Sequence, residues 1–328
     1  MPANLTPQYM EAEKRYRDAR TNEEKIAALE EMLSIIPKHK GTDKLQADIK
    51  KRLSKHREES QKKKGAAVQK SVFNVDKEGA GQVVIIGPPN TGKSSLVCKL
   101  TKASPEVAAF PHTTHKPTPG MASYGNILFQ LVDMPPITGE YVDPAMPDMI
   151  RRADIVVILL DLMADPLTQY EETLAALDSY HIYPEGTVLP ESVRKAHFIR
   201  KTFVVANKMD TEKQKEDFET FLELTGLKLP SIGISIQAET NLQEFLRIIF
   251  ELSEVIRVYA KNPGKEPDLE EPFVMAQDST LEELAVKIHK DIARNMKFAR
   301  VWGKAVHGGQ MVQRDYVLQD EDIIEIHI

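Results

Sequence analysis

Gln82-Val83-Val84-Ile85-Ile86-Gly87-Pro88-Pro89-Asn90-Thr91-Gly92-Lys93-Ser94-Ser95-Leu96-Val97 is the stretch whose reading decides the fold. Its first five residues form an apolar, β-branched run, the pattern of a buried strand. Ser95 to Leu100 reads as the start of a helix. Between them lies Gly-x-x-x-x-Gly-Lys-Ser, the loop that cradles polyphosphates. A polyphosphate must be held by many donors at once. A loop of small residues turns its backbone N–H groups inward, and the helix N-terminus adds its positive end. Pro88, Pro89, Asn90, Thr91, Gly92, Lys93, Ser94 and Ser95 are therefore candidate nucleotide-binding residues. Lys93 is expected to reach the β- and γ-phosphates, and the Ser94 hydroxyl to ligate Mg²⁺. A chance Gly-Lys-Ser in a surface turn would not come with both the strand and the helix.

Downstream, Thr202-Phe203-Val204-Val205-Ala206 reads as another strand, and it ends in Asn207-Lys208-Met209-Asp210. Guanine presents two adjacent donors, N1–H and the exocyclic amine. The Asp210 carboxylate can accept both, whereas adenine would leave that charge unpaired. Asn207 is expected to tie this loop to the phosphate loop, and the stem of Lys208 to cover the base. Ser235-Ile236-Gln237-Ala238 follows the next strand and is placed to offer backbone N–H groups to the guanine O6. Asp133, after the run Ile127–Val132, suits a carboxylate that holds Mg²⁺ through water.

Strands alternate with helices from residue 82 to about 257, which indicates a doubly wound, mostly parallel α/β sheet with ligands at the strand ends. Helices are expected over 166–180, 212–225 and 240–257. Ser104 to Gly120 carries four prolines and is expected to hold no regular structure. Asn262 to Pro267 reads as a linker, and the remainder as a small α+β domain over 262–328 with one helix from about 278 to 292. Residues 1–70 read as helices. Ile26, Leu29, Leu33 and Ile36 share one helical face, as do Leu45, Ile49 and Leu53.

The chain has 328 residues and a net charge of −6, yet residues 1–70 hold 17 Lys/Arg against 11 Asp/Glu. This basic arm, closing on Lys62-Lys63-Lys64, has two readings: a solvated helix face, or a contact with RNA or the ribosome. No aromatics are interleaved with its lysines, so base stacking is not indicated. No run is long and apolar enough to span a bilayer, and no secretory leader pattern opens the chain. A cytoplasmic protein is expected. The single cysteine, Cys98, rules out an internal disulfide and is expected to pack inward.

Several motifs together resemble the Obg/DRG family of TRAFAC-class GTPases. Phe110-Pro111-His112-Thr113-Thr114, with Pro117 and Gly120 behind it, is similar to that family's first switch, and Asp133-Met134-Pro135 to its second. Ile256–Gly264, Ala299–Gly303 and Val317–Asp322 look like the family's C-terminal TGS domain, a ubiquitin-like β-grasp module. The resemblance implies a G domain over 80–258, a TGS domain over 262–328, and a slow, Mg²⁺-dependent GTPase that acts as a nucleotide switch linked to the ribosome. It also implies Thr114 as the switch threonine on Mg²⁺, acting in catalysis with Lys93, and Asn90 as a K⁺ ligand. A protein partner at the TGS domain is a further implication.

The chain departs from the family at Pro136, where D-x-x-G glycine is usual, and at His115. Pro136 has no N–H to offer a γ-phosphate. Ile137 stands where many GTPases carry a water-orienting Gln. These two residues keep a second function class open: a GTP/GDP-binding adaptor with little or no hydrolysis. A small-molecule P-loop kinase is disfavoured by the guanine motif.

Overall fold

The computed structural model describes residues 7–19, 22–36, 46, 49–54, 75–101, 116–137, 145–189 and 197–328. The chain forms two compact units, residues 1–72 and 73–328.

The first unit contains α1 (Pro7–Asp18) and α2 (Asn22–Ile35), with a further helical stretch at 49–54. Tyr9 and Ala12 from α1, Leu29 and Met32 from α2, and Ile49 and Leu53 bury a small core together. The helical spacing seen in the sequence thus becomes a packed face. Thr21, Thr42, Leu45 and Lys62-Lys63-Lys64 lie outside the described residues.

The second unit is organised on β1 (Gln82–Ile86), all five residues of which are buried. Around it run α3 (Lys93–Leu100), β2 (Thr118–Tyr124), β3 (Ile127–Asp133), α4 (Met146–Arg152), β4 (Ile155–Asp161), α5 (Pro166–Ser179) and β5 (Ile182–Pro184). Then come β6 (Phe198–Asn207), α6 (Glu212–Thr225), β7 (Ser231–Gly233) and α7 (Leu242–Ser253). The strand order is β2-β3-β1-β4-β6-β5, with β7 also on β6. Only β2 runs antiparallel to its neighbour; the other pairs are parallel.

Because successive side chains leave a strand on opposite faces, β1 feeds two cores. Val83 and Ile85 meet Leu96 of α3 and Phe245 of α7. Val84 and Ile86 meet Met149 of α4, Leu177 of α5 and Phe221 of α6. A strand buried on both faces must be apolar throughout, as the opening run is. The chain leaves β1 between β3 on one side and β4 on the other, where crevices of such sheets form.

Several expectations change. Thr118, Pro119 and Gly120 already belong to β2. A proline without N–H is tolerated there because β2 is an edge strand. The last helix of this sheet ends at Ser253, not near 257. Glu254 takes a left-handed turn with φ 50°, and β8 (Val255–Lys261) begins. Ile256 and Val258 alternate inward, a strand period rather than a helical one. α4, β5 and β11 have no counterpart in the sequence reading. Cys98 is exposed. On α3 the inward positions are Lys93, Leu96 and Val97, and helical spacing puts residue 98 on the outer side.

A second sheet follows the order β11-β10-β12-β8-β9. It adds β9 (Phe273–Ala276), β10 (Phe298–Trp302), β11 (Gln310–Val312) and β12 (Asp322–His327), with α8 (Leu281–Ile288) and α9 (Lys290–Asn295) between. The single helix expected to 292 is thus two, broken at His289, which is extended. Thr280 and Glu283 close a capping box at the start of α8. Leu281 and Leu284 pack on Val258, Val301 and Ile324. First strand β8 and last strand β12 lie parallel at the centre, a β-grasp arrangement. This sheet begins at Val255, before the residue 262 expected.

The two sheets touch at the β2–β3 turn. Asn126 Nδ2 donates to Tyr259 Oη at 2.7 Å and to the Leu269 carbonyl at 2.8 Å. The Arg257 guanidinium lies 5.1 Å over the Phe250 ring.

Phe245 is fully buried and stacks on Phe203 at 5.6 Å between ring centres. Phe245→Ala is expected to cost about 3–5 kcal/mol in urea unfolding. A loss under about 1 kcal/mol would show that this pair does not hold α7 on the sheet.

Candidate nucleotide site

β1 delivers the chain into Gly87, whose φ of 145° brings it against β4: a Cβ there would stand 2.3 Å from the Leu159 carbonyl oxygen. Only glycine fits. Pro88 is buried, while Pro89 and Asn90 are exposed. Asn90 is left-handed at φ 65°. Thr91 is buried and its hydroxyl donates to the Pro88 carbonyl at 3.2 Å. Gly92, with φ 96°, precedes the first turn of α3.

Lys93 curls back over the loop. Its ammonium donates to the carbonyls of Gly87 at 3.1 Å and Pro88 at 2.7 Å. Burial pushes this ammonium down to about 8, against the opposing pull of the Asp133 carboxylate. Ser94 Oγ donates to Asp133 Oδ2 at 2.6 Å, and Ser95 is exposed. Asp133 ends β3 opposite Ile85 of β1, so the strand register itself sets it beside the loop.

Past Asp133 the chain is held against the core. Met134 N donates to the Ile85 carbonyl at 3.2 Å. Pro135 and Pro136 are half-buried. Ile137, 1% exposed, packs with Met134, Met146 and Met149. The position of the usual water-orienting Gln therefore faces the core. Thr114, with Thr113, His112 and His115, lies outside the described residues.

Asn207 ends β6 and is buried. Its Nδ2 donates to the Thr91 carbonyl at 2.9 Å, joining the two loops. A Cβ on Gly92 would fall 2.5 Å from that nitrogen. Gly92 thus meets two demands, its left-handed backbone and the passage of Asn207. Lys208 is left-handed at φ 68°. Met209 N donates to the Ile234 carbonyl at 3.0 Å, pinning the loop to the next strand end. Asp210 is exposed. Its Oδ1 accepts from Ser235 Oγ, and that hydroxyl oxygen accepts from Ala238 N at 2.9 Å. Ile236 leans against Gly92, within 3.3 Å of its Cβ position. Gln237 is exposed.

The ends of β1, β3 and β6, with the loop after β7, thus meet at one edge of the sheet. They gather an ammonium, a hydroxyl and carboxylate of the hard-oxygen kind that suits Mg²⁺, and an exposed carboxylate on a fixed loop. Asp161, at the end of β4, also belongs here and was not selected from the sequence. It pairs with Lys208. Its only sequence signal is a carboxylate closing an apolar run.

Residues 82–189 match the family model described as 50S ribosome-binding GTPase, and residues 256–328 the model of the TGS domain. An uncharacterized GTP-binding protein of Methanocaldococcus jannaschii is 30% identical over 93% of this chain and 93% of its own. That alignment runs over 368 positions, more than the 328 residues here, so the relative carries residues this chain lacks. The developmentally-regulated GTP-binding protein 1 homolog of Dictyostelium discoideum is 28% identical over 92% of this chain and 98% of its own. The human developmentally-regulated GTP-binding protein 2 is 24% identical over the same shares.

Gly92→Ala is expected to weaken GDP binding at least about 10-fold, since both left-handed strain and displacement of Asn207 follow from the added methyl. Calorimetric titration of the purified protein reads this. Unaltered affinity would mean that the Asn207–Thr91 link is dispensable.

Proposed function

Since the chain belongs to the Obg/DRG family of P-loop GTPases with a C-terminal TGS domain and binds GTP, we propose that it is a slow GTPase and nucleotide switch linked to the ribosome. The observation that supports this reading is the Asn207–Thr91 bond of 2.9 Å, which ties the loop proposed to read guanine to the loop proposed to hold the phosphates.

Loop N–H groups and the start of α3 receive the phosphates. Lys93, now spent on two loop carbonyls, exchanges them for β- and γ-phosphate oxygens. Asp210 accepts from N1–H and the amine of guanine while Ser235 holds its other side. The backbone after Ser235, through Ile236 and Gln237, meets O6. Ser94 and Asp133, already 2.6 Å apart, would hold Mg²⁺ with Thr114. The ion supplies charge neutralisation on the phosphate oxygens. Asn90 is the candidate K⁺ ligand. In hydrolysis a water oxygen bonds to the γ-phosphorus, the bond to the β-phosphate oxygen breaks, and the water's protons pass to phosphate and solvent.

Turnover is slow on this reading for two reasons. Pro136 offers no N–H to the γ-phosphate. Ile137 is turned into the core, so nothing from that position orients water. The same two residues favour the second reading, a GTP/GDP-binding adaptor. GTP turnover in K⁺ against Na⁺ buffer decides between them. K⁺ is expected to raise the rate several-fold, and Pro136→Gly to sharpen discrimination of GTP from GDP. Turnover at buffer background with K⁺ and ribosomes both present would leave only the adaptor.

The basic arm and the TGS domain are the proposed contacts with the ribosome or RNA, and a protein partner at the TGS domain remains part of the proposal. No helix among the described residues is long and apolar enough to cross a membrane, and the protein is proposed to act in the cytoplasm. Ribosome co-sedimentation is expected to weaken steeply between low and moderate salt. Replacing Lys62, Lys63 and Lys64 by Gln should weaken it further. Binding that ignores both changes would exclude the arm.

A further inference from the structure

We propose that Asp161 is a positioning residue for guanine and acts through Lys208; this rests on the guanine-site reading above. Asp161 ends β4 directly opposite Asn207 of β6. It is 8% exposed, and every polar group it has is engaged. Its backbone N–H donates to Gln169 Oε1 at 2.9 Å, and its carbonyl accepts from Gln169 Nε2 at 3.4 Å. Oδ1 accepts from Met163 N at 2.8 Å. Oδ2 takes the Lys208 ammonium at 2.5 Å. Next to it, Leu162 N donates to the Asn207 carbonyl at 3.1 Å.

Before Lys208 meets it, the carboxylate is therefore held by the Met163 N–H, and its backbone on both sides by the Gln169 amide. Lys208 has the opposite character. It sits on a left-handed backbone that L-residues adopt only at a cost, and its side chain is 36% exposed. A long, flexible stem at such a place loses much rotamer freedom when it is ordered. The ion pair orders it in advance. It also pairs the ammonium with a carboxylate, whereas the Lys93 ammonium meets neutral carbonyls. What Lys208 presents to a ring is its methylene stem. Gln169, on the first turns of α5, extends the support: helix, strand end and base loop are one hydrogen-bonded unit. A neutral residue at 161 would lose the charge attraction that makes this bond to the ammonium strong.

The test is dissociation of a fluorescent GDP from the full-length protein, chased with excess GDP. D161N and K208M are each expected to raise the rate about 10-fold, the scale of one lost charged hydrogen bond. The double variant should stay within twofold of either single one, as coupled partners do. Competition by inorganic tripolyphosphate should be unaltered in D161N, because the phosphate loop does not use this pair. D161N within twofold of the wild type, a further 10-fold effect of D161N on the K208M background, or a parallel loss of tripolyphosphate binding each overturns the proposal. If D161N does not fold, K208M decides alone: dissociation within twofold of the wild type would show that Lys208 transmits nothing. Wild-type protein that binds no GDP at all would instead refute the guanine site itself.

Discussion

One side-chain amide closes the site. The Nδ2 group of Asn207 reaches across from the end of β6 to the carbonyl of Thr91 at 2.9 Å. Without it the loop after β6 and the loop after β1 would be two separate turns at the edge of a sheet. The bond makes demands on both sides. Residue 92 must lack a side chain to let the carboxamide pass. Asn207 must sit at the end of a strand whose register is set by β4, and β4 in turn by β1. The bond gives the buried amide nitrogen and the Thr91 carbonyl each a partner.

From that edge two structural paths lead outward. One runs along β4 and α5, where Asp161 and Gln169 brace the base loop. The other runs down the β2–β3 hairpin. Its one end is Asp133, hydrogen-bonded to Ser94. Its other end is the turn at Asn126, hydrogen-bonded to Tyr259 of the TGS sheet. A two-stranded ribbon with seven paired positions is a stiff connector, so the nucleotide edge and the C-terminal sheet share one element. Pro136 and Ile137 follow directly on this hairpin, which ends at Asp133. Ile137 anchors the segment after Asp133 on the core.

Local chemistry was legible in the sequence wherever it depends on neighbours along the chain. The run 82–86, the Gly-Lys-Ser turn and the helix after it needed no tertiary information, nor did the helix 212–225, whose bounds match α6. What misled was continuity of composition. The apolar residues past Ser253 prolong a helical pattern, yet Ile256 and Val258 alternate into another core. Proline suggested that 118–120 was irregular, but an edge strand has no ladder on its outer side to lose. Cysteine is usually buried, but position 98 falls on the outer face of a short helix.

By itself the sequence determined the nucleotide loop, the guanine motif and the alternation of strands and helices, because spacing and residue type alone encode them. Only the tertiary structure decided which carboxylates meet which cations. Asp161 and Lys208 are 47 residues apart, as Ser94 and Asp133 are 39 apart. Such pairs come together through the register of parallel strands, and register is set by burial on two faces at once rather than by any local pattern. The same holds for Ile137, whose inward turn follows from the space that Met134, Met146 and Met149 leave for it.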